Sequence, residues 1–436
     1  MAQDRRLLRR IAGVLKVRLP EAELESLPDP RQHRGRRWKR LIVLVRATVV
    51  TIMAGGKSFA DAEALTAEMS VPMRRLLGIP RRAPDTTLRT TMAKLDPLAL
   101  RQCLRSQVRA AHRRGALAPL GLPFGEAAID GKSTAIGAWN ERYAQRQPHS
   151  SAPGASGIVR TLTSSLVSSR VKACLDASPI PPATNEMGHF AQALDELVEA
   201  YRSIRLFKLV STDAGMCSEA NGRLIVEKHK LHYLFGLKGD QPTLYTEAKR
   251  LLSRRQTPEA ETVDVVGKHV VTRRLYRTVE LAHYLAWTHL ETVLRVESEK
   301  RERDTNKLVA HEDRYFLSSL TADELTAEQW LLVVRRHWGV ENECHNTWDK
   351  IFDEDDHPWF DSGEDAPQGT VVVMLLRRIA YNLLALFRSV TQRSDEKRQT
   401  PWKDLLRWVY NALIAATAAD VDALRPRLLI TTACDA

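Results

Sequence analysis

The chain has 436 residues, which is too long for one ordinary hydrophobic core and predicts two or three domains. Its 44% hydrophobic and 27% charged residues are typical of a folded soluble protein. Five cysteines without a CxxC pair argue against a disulfide framework or a structural zinc site, and for a reducing compartment. The most apolar run, 41–54, is too short for a membrane span, and the charged N-terminus lacks the apolar segment of a secretory signal. We therefore expect a cytoplasmic protein without a membrane partner.

The formal net charge of +12 is concentrated at one end of the chain. Residues 1–120 contain 25 Lys and Arg against 10 Asp and Glu, whereas the remaining residues contain 40 against 43. A basic region attached to a slightly acidic body is expected when a protein binds a polyanion such as DNA through one region and has a separate function in the other.

The first 116 residues are predicted to form an all-helical domain. Apolar residues recur at helical spacing in five segments, which are 1–20, 41–54, 59–69, 85–92 and 97–113. Six basic residues lie just before the second helix and are the predicted DNA-binding residues of this domain: Arg31, Arg34, Arg36, Arg37, Lys39 and Arg40. The composition favours nucleic-acid binding, and the alternative is a basic solvated bundle that contacts only its own body.

From residue 117 the pattern changes to that of an α/β body. A short apolar run, 125–130, ends in Asp130 and a turn, and a second predicted strand, 206–212, is followed by Asp213. A predicted helix and a further strand follow directly. Strand, helix and strand joined by short turns are typical of parallel strands in one sheet.

Residues 239–314 are predicted to be rich in β-strands, and a strand at 315–319 leads into a helix at 326–352. Four residues share one face of that helix because they are spaced by four, four and three positions: His337, Glu341, His345 and Trp348. Ionisable groups are costly to bury unless they are paired or hold a metal, so this face predicts a functional site. The alternative is a solvated helix face with incidental histidines. Because Cys344 and His345 are adjacent on one helix, they cannot both face one zinc ion.

Three carboxylates come from separate elements, namely Asp130, Asp213 and Glu341. Side chains at the carboxyl ends of parallel strands project into the crevice where open α/β sheets place their sites. Oxygen ligands suit Mg²⁺ or Mn²⁺, and two such ions can support an in-line displacement at a phosphodiester. The alternative is that both aspartates are ordinary residues of loops that follow strands.

Several short motifs, taken in order, resemble those of one protein family. They are Ile129-Asp130-Gly131-Lys132, Thr184-Asn185-Glu186, Thr212-Asp213-Ala214, the run 233–242, Thr272-Arg273-Arg274, the run 315–320, and Arg336-His337-Trp338-Gly339-Val340-Glu341-Asn342. Their order and spacing resemble the H-repeat-associated (ISAs-type) bacterial insertion-sequence transposases of the DDE class. The pattern departs from that family at Glu343-Cys344-His345-Asn346, so different packing under the helix is expected.

The resemblance implies an α/β fold with an RNase-H-like catalytic core and a β-rich insertion, preceded by the all-helical domain. It divides the chain into the helical domain 1–116, the core 117–238 and 315–390, the insertion 239–314 and a helical tail 391–436. Asp130, Asp213 and Glu341 would be the catalytic triad and would hold the Mg²⁺ or Mn²⁺ ions. The resemblance also implies DNA contacts by five further residues, the last two near the scissile phosphate: Lys132, Lys238, Gln241, Arg336 and His337.

The expected function is binding of an insertion sequence's terminal repeats, followed by metal-dependent cleavage and strand transfer of double-stranded DNA at the element ends and the target. A homodimer is expected at least on DNA, because two ends must be brought together. Two alternatives remain open from the sequence. One is a catalytically inactive or co-opted DNA-binding relic, and the other is a metal-dependent nuclease that does not rejoin strands.

Overall fold

The computed structural model describes residues 2–31, 40–147, 156–255 and 257–424. Its α-helices are α1 Ala2–Arg18, α2 Leu41–Met53, α3 Phe59–Glu68, α4 Val71–Leu77, α5 Asp85–Met92, α6 Pro97–Arg113, α7 Glu186–Tyr201, α8 Glu219–Arg223, α9 Pro242–Leu252, α10 Ala327–His337, α11 Asn346–Lys350, α12 Ala366–Leu386, α13 Asp395–Arg398, α14 Trp402–Ala415 and α15 Ala418–Asp422. The five predicted N-terminal helices are confirmed as α1, α2, α3, α5 and α6, whereas the short α4 was not predicted.

A mixed ten-stranded sheet forms the centre of the described structure. Its strands are β1 Glu126–Ile136, β2 Ala144–Arg146, β3 Gly157–Leu166, β4 Cys174–Pro179, β5 Leu209–Thr212, β6 His232–Leu237, β7 Ala260–Val266, β8 His269–Thr278, β9 Thr292–Glu302 and β10 Leu308–Ser318. The order is β2-β3-β1-β5-β6-β10-β9-β8-β7, with β4 paired to β3. Strands β1, β5 and β6 are parallel, as expected, and the other pairs are antiparallel.

The strands of the β-rich stretch 239–314 belong to the same sheet as β1 and β5. Strand β10 pairs with β6, and β9, β8 and β7 follow outward. The long hairpin of β9 and β10 carries the charged segment that follows Glu297, which the sequence did not indicate as a strand. The sheet is therefore continuous from β1, which carries Asp130, to the edge strand β7.

The N-terminal helices pack on the sheet through α12, which is buried along nearly its whole length. This helix contacts α2 and α6, so one hydrophobic core includes both the helices and the sheet. A buried ion pair joins the same parts, because Asp176 on β4 accepts hydrogen bonds from Arg101 (2.7 and 2.9 Å) and Arg105 on α6. The apolar run around α12, residues 366–391, is long enough to cross a membrane, but its most apolar 18-residue window is buried inside the structure.

The helix predicted at 326–352 is interrupted in the structure. Helix α10 begins with a capping box in which Thr326 and Gln329 each bond the other's backbone N–H. After α10 the backbone forms a π-helical turn, Val340–His345, before α11 continues. A π turn adds a residue to the turn and changes the direction in which the following side chains point, so the prediction of one uniform α-helical face was wrong. His337 and His345 are buried, whereas Glu341 is exposed.

Candidate active site

Two of the predicted acids are neighbours across a parallel strand pair. Residues 126–129 of β1 pair in register with 209–212 of β5, so Asp130 and Asp213 occupy the next position on each strand. The expectation that Asp130 ends its strand was wrong, because β1 continues to Ile136 while pairing with β3 alone. The parallel pairing ends at these two residues, and their carboxylates therefore meet where β5 turns away from β1.

Asp130 lies among other carboxylates. Its Oδ1 accepts a hydrogen bond from the backbone N–H of Gly131 (2.9 Å). Burial, together with the nearby charges of Asp213, Glu186 and Glu341, raises the pKa of Asp130 to about 7. The other two predicted acids, and one acid that was not predicted, thus lie within electrostatic range of Asp130.

Asp213 is held by a short 3₁₀ turn, Ala214–Met216, that directly follows β5. Its Oδ1 is buried and has no hydrogen-bond partner among the described residues. Gly236 on β6 allows this turn to approach closely, because a Cβ atom there would lie 3.0 Å from the backbone nitrogen of Ala214. A buried carboxylate oxygen without a donor is costly unless something outside the chain satisfies it.

His345 lies directly beside Asp130. Its Nε2 is 2.7 Å from the hydroxyl of Thr163, and its Nδ1 is 3.4 Å from Asp130 Oδ2. The Thr163 hydroxyl donates to the carbonyl of Asp130, so it accepts a hydrogen bond from His345 Nε2. Burial, together with the charges of Arg378 and Lys132, lowers the pKa of His345 to about 3. The neutral imidazole therefore faces Asp130 with the lone pair of Nδ1 and does not neutralise the carboxylate.

Glu186 is the acid near the site that the sequence did not single out. It is the first residue of α7, and burial together with the charge of Asp213 raises its pKa. The motif Thr184-Asn185-Glu186 contributed to the family resemblance, but it did not predict Glu186 as a site residue. Its position at the start of a helix, after an Asn cap, was the signal that could have suggested a buried role.

The donor set fits a hard divalent cation. The carboxylates of Asp130, Asp213, Glu186 and Glu341 make no ion pair with any Lys or Arg in the part of the chain that the structure describes. Oxygen donors with an unsatisfied buried atom are what Mg²⁺ or Mn²⁺ requires, and a metal charge would offset the mutual repulsion.

Lys132 is not available for DNA contact, which corrects the sequence prediction. Its side chain is 6% exposed, and its Nζ lies 2.7 Å from both Asp349 and Asp355. Although burial alone would lower the pKa of Lys132, the surrounding carboxylates raise it. Lys132 therefore joins β1 to α11 and the loop after it, which fixes the segment that follows Glu341.

His337 is buried in the interior, contrary to its predicted contact with a scissile phosphate, whereas the predicted contact of Arg336 stays a prediction. His337 is 3% exposed and its Nδ1 lies 3.2 Å from the Ser211 hydroxyl, which itself donates to the buried Glu126 (2.8 Å). Burial lowers the pKa of His337 to about 4. Arg336 donates to the carbonyl of Ser168 (3.0 Å) and is half-buried.

The other predicted DNA contacts have different surroundings. Lys238 is exposed just after β6, at the same edge of the sheet as Asp213. Gln241 donates to the carbonyl of Cys217 (3.1 Å) and so supports the turn after Asp213. Arg31 pairs with Asp29 (2.7 Å), and Arg40 is exposed at the start of α2. The remaining predicted residues lie outside the described part of the chain: Arg34, Arg36, Arg37 and Lys39.

A second group of possible metal ligands lies on the outer strands and consists of Glu297, Glu299 and His311. Arg274 approaches Glu297 (3.7 Å) and Glu299 (3.4 Å), and His311 bonds Glu297 (3.1 Å). These groups satisfy one another on the surface, so they form an ion-pair network on the β8–β10 face.

Two family models match the sequence. The family described as DDE_Tnp_1-associated matches residues 22–108, and the transposase DDE domain matches residues 183–383. The second match includes Glu186, Asp213 and Glu341, while Asp130 lies between the two. No curated protein matches the chain.

Solved structures include a distant match, the piggyBac transposase in a synaptic complex with hairpin DNA determined by cryo-EM. It is 14% identical, the alignment covers 98% of this chain and 83% of that chain, and the TM-score is 0.42. The two family models together span about two thirds of the sequence. The chain belongs to the DDE transposases.

Proposed function

We propose that this transposase binds the terminal repeats of an insertion sequence and catalyses metal-dependent strand cleavage and strand transfer with Asp130, Asp213 and Glu341. The observation that carries the proposal is the parallel register of β1 and β5, which brings Asp130 and Asp213 side by side. Glu341 is exposed on the π turn, and its contribution to the raised pKa of Asp130 supports its inclusion in the triad.

Mg²⁺ or Mn²⁺ is the proposed cofactor, and the family's general use of divalent metals supports it. When bound, such ions activate a water or a 3′-hydroxyl and stabilise the leaving oxygen at a phosphodiester. The residues of the chain supply the positions of the donors. The Gly131 N–H orients Asp130, the 3₁₀ turn presents Asp213, and the ion pairs of Lys132 fix the helix after Glu341.

The finer fold and partner assignments belong to the same proposal. The parallel strands flanked by α7 and by the segment with Glu341 support an RNase-H-like core, with residues 239–314 as its β-rich insertion. The H-repeat-associated subgroup, a homodimer on DNA and a cytoplasmic location remain predictions. Lys238 is the described basic residue best placed to meet the DNA backbone, and the basic run 31–40 is the proposed contact of the helical domain.

The test is cleavage of a labelled DNA that carries the sequence flanking the coding region, with Mg²⁺ or Mn²⁺. We expect the native protein to nick at a defined end, and Asp130→Asn, Asp213→Asn and Glu341→Gln each to abolish nicking while DNA binding persists. Glu343→Gln is the matched control, because Glu343 is exposed on the same π turn and pairs with Lys172 instead.

The outcomes separate the alternative functions. Native protein that binds DNA but never nicks it would favour a non-catalytic relic. Nicking without joined products would indicate a nuclease. If the three substitutions leave nicking unchanged, the triad assignment is wrong even though the chain is a member of the family.

A further inference from the structure

Glu186 occupies space that exists only because residue 131 is glycine. A Cβ atom at Gly131 would overlap Glu186 Oε1 and lie 2.7 Å from Oε2. The carboxylate therefore lies directly against the backbone of β1, one residue after Asp130. A side chain at position 131 would push it away, so the glycine is required for the approach of this acid.

Glu186 approaches from the side of the sheet opposite to Glu341. Consecutive residues of a strand point to opposite faces. Asp130 faces His345 on the π turn that also carries Glu341, and the missing side chain of Gly131 would face α7. Glu186 and the π turn therefore lie on opposite faces of β1, and Asp213 is close enough to raise the pKa of Glu186.

Neither an ion pair nor a hydrogen bond explains the position of the Glu186 carboxylate. In the described chain its carboxylate makes no hydrogen bond or ion pair, and Asn185 already caps α7 by accepting from the N–H of Gly188 (2.9 Å). Arg160, the cation with the strongest influence on Glu186, donates to the Thr184 carbonyl instead (2.6 Å). An unpaired acid packed toward two further acids destabilises the fold unless a cation joins them.

We propose that Glu186 is a fourth carboxylate ligand of the divalent metal site formed by Asp130, Asp213 and Glu341. The inference rests on the proposed function of those three residues. It assigns α7 a direct part in holding the metal and makes Gly131 a positioning residue, since the absence of its side chain lets Glu186 reach the site.

The experiment measures Mn²⁺ binding to the full chain by titration calorimetry, without DNA. Losing even a supporting group of a metal site lowers affinity by about 10-fold or more, so Glu186→Gln should raise the Kd for Mn²⁺ by at least about 10-fold. Glu219→Gln is the matched control. Glu219 also begins a helix behind a side-chain cap, but it pairs with Arg223.

Gly131→Ala tests the position of the carboxylate separately from its charge. The overlapping atom is the end of a flexible side chain, so the protein can fold with Glu186 displaced. We expect Gly131→Ala to weaken Mn²⁺ binding like Glu186→Gln, with an unchanged circular dichroism spectrum. Adding Gly131→Ala to Glu186→Ala should cause no further loss, because no carboxylate remains to be displaced.

The outcomes distinguish this inference from the proposed triad. If Asp130→Asn and Asp213→Asn lose Mn²⁺ binding while Glu186→Gln stays within twofold of the native protein, the triad stands and the role of Glu186 is refuted. If Gly131→Ala binds Mn²⁺ normally but Glu186→Gln does not, the effect is one of charge at a distance and the ligand role is again refuted. If all four variants bind normally, both proposals fail.

Discussion

Glu354→Gln should destabilise the protein strongly, because Glu354 balances two buried arginines behind the site. Its oxygens accept hydrogen bonds from Arg378 at 2.6 and 2.7 Å, and Arg377 approaches to 3.7 Å. All three side chains are at most 1% exposed, and the Arg378 guanidinium also stacks on Trp348 at 3.6 Å. Although burial alone would raise the pKa of Glu354, the arginines lower it to about 2, so it is charged at neutral pH.

Removing one partner of a buried ion pair costs about 3–5 kcal/mol, because the other charge stays buried without compensation. With two arginines behind it, we expect Glu354→Gln to fall in the upper part of that range. Urea unfolding followed by tryptophan fluorescence would measure the loss in the free energy of unfolding. Asp356→Asn is the control, since Asp356 is exposed in the same loop and should change stability by less than about 0.5 kcal/mol.

A double-mutant cycle with Arg378→Gln would test whether the loss comes from the pair itself. Residues in direct contact show interaction energies of about 0.5–3 kcal/mol, and a buried bidentate pair should lie near the top of that range. A Glu354→Gln variant that unfolds within about 1 kcal/mol of the native protein would refute the reasoning. It would mean that the loop opens and lets water reach the arginines.

Three further predictions follow from buried charges. Burial raises the pKa of Glu126 to about 8, above its unfolded value near 4.3, so the stability linked to its proton is complete below about pH 4 and is lost as pH rises to 8. Urea unfolding at pH 5 and pH 8 should therefore show a smaller pH-dependent loss for Glu126→Gln than for the native protein. Lys132→Met should lower stability and leave the salt dependence of DNA binding unchanged, because Lys132 is buried in ion pairs. Lys238→Ala should instead reduce the slope of log K against log salt by about 1, because Lys238 is exposed. Equal slopes in these two variants would contradict the assignment of Lys238, and not Lys132, to the DNA backbone. Asp176→Asn should cost about 3–5 kcal/mol because it removes the buried carboxylate that Arg101 and Arg105 share, and limited proteolysis should then cut between the N-terminal helices and the sheet.

Periodicity and strand-end acids predicted much of the framework. The helical spacing of apolar residues located α1, α2 and α6, and the order of strands and helices predicted the parallel pairing that joins Asp130 to Asp213. The helices depend on residues that are close in sequence, and the parallel pairing follows from the rule that strand, helix and strand joined by short turns form parallel strands. The family motifs then identified the third acid, Glu341, which local pattern alone left open.

The surroundings of these acids could not be read from the sequence, because they depend on contacts between distant segments. Lys132 looked like a free lysine after an acid, yet its two partners lie more than 200 positions away. The sequence placed His337 on a helix face with a predicted DNA contact, whereas in the structure its side chain is buried. The spacing of hydrophobic residues gives no clear signal for the π turn, so the sequence could not predict which way the Glu341 side chain points.

The candidate site combines segments that are fixed by ion pairs or a helix cap with carboxylates that have no ion-pair partner among the described residues. Lys132 fixes α11 to β1, Glu354 fixes the following loop to α12, and the Asn185 cap fixes the start of α7. Each support satisfies its own charges or dipoles, whereas the acids that they bring together remain unpaired. The repulsion among these acids is therefore left for a bound cation to relieve. The same arrangement that destabilises the metal-free protein would therefore give the site its affinity for a divalent ion.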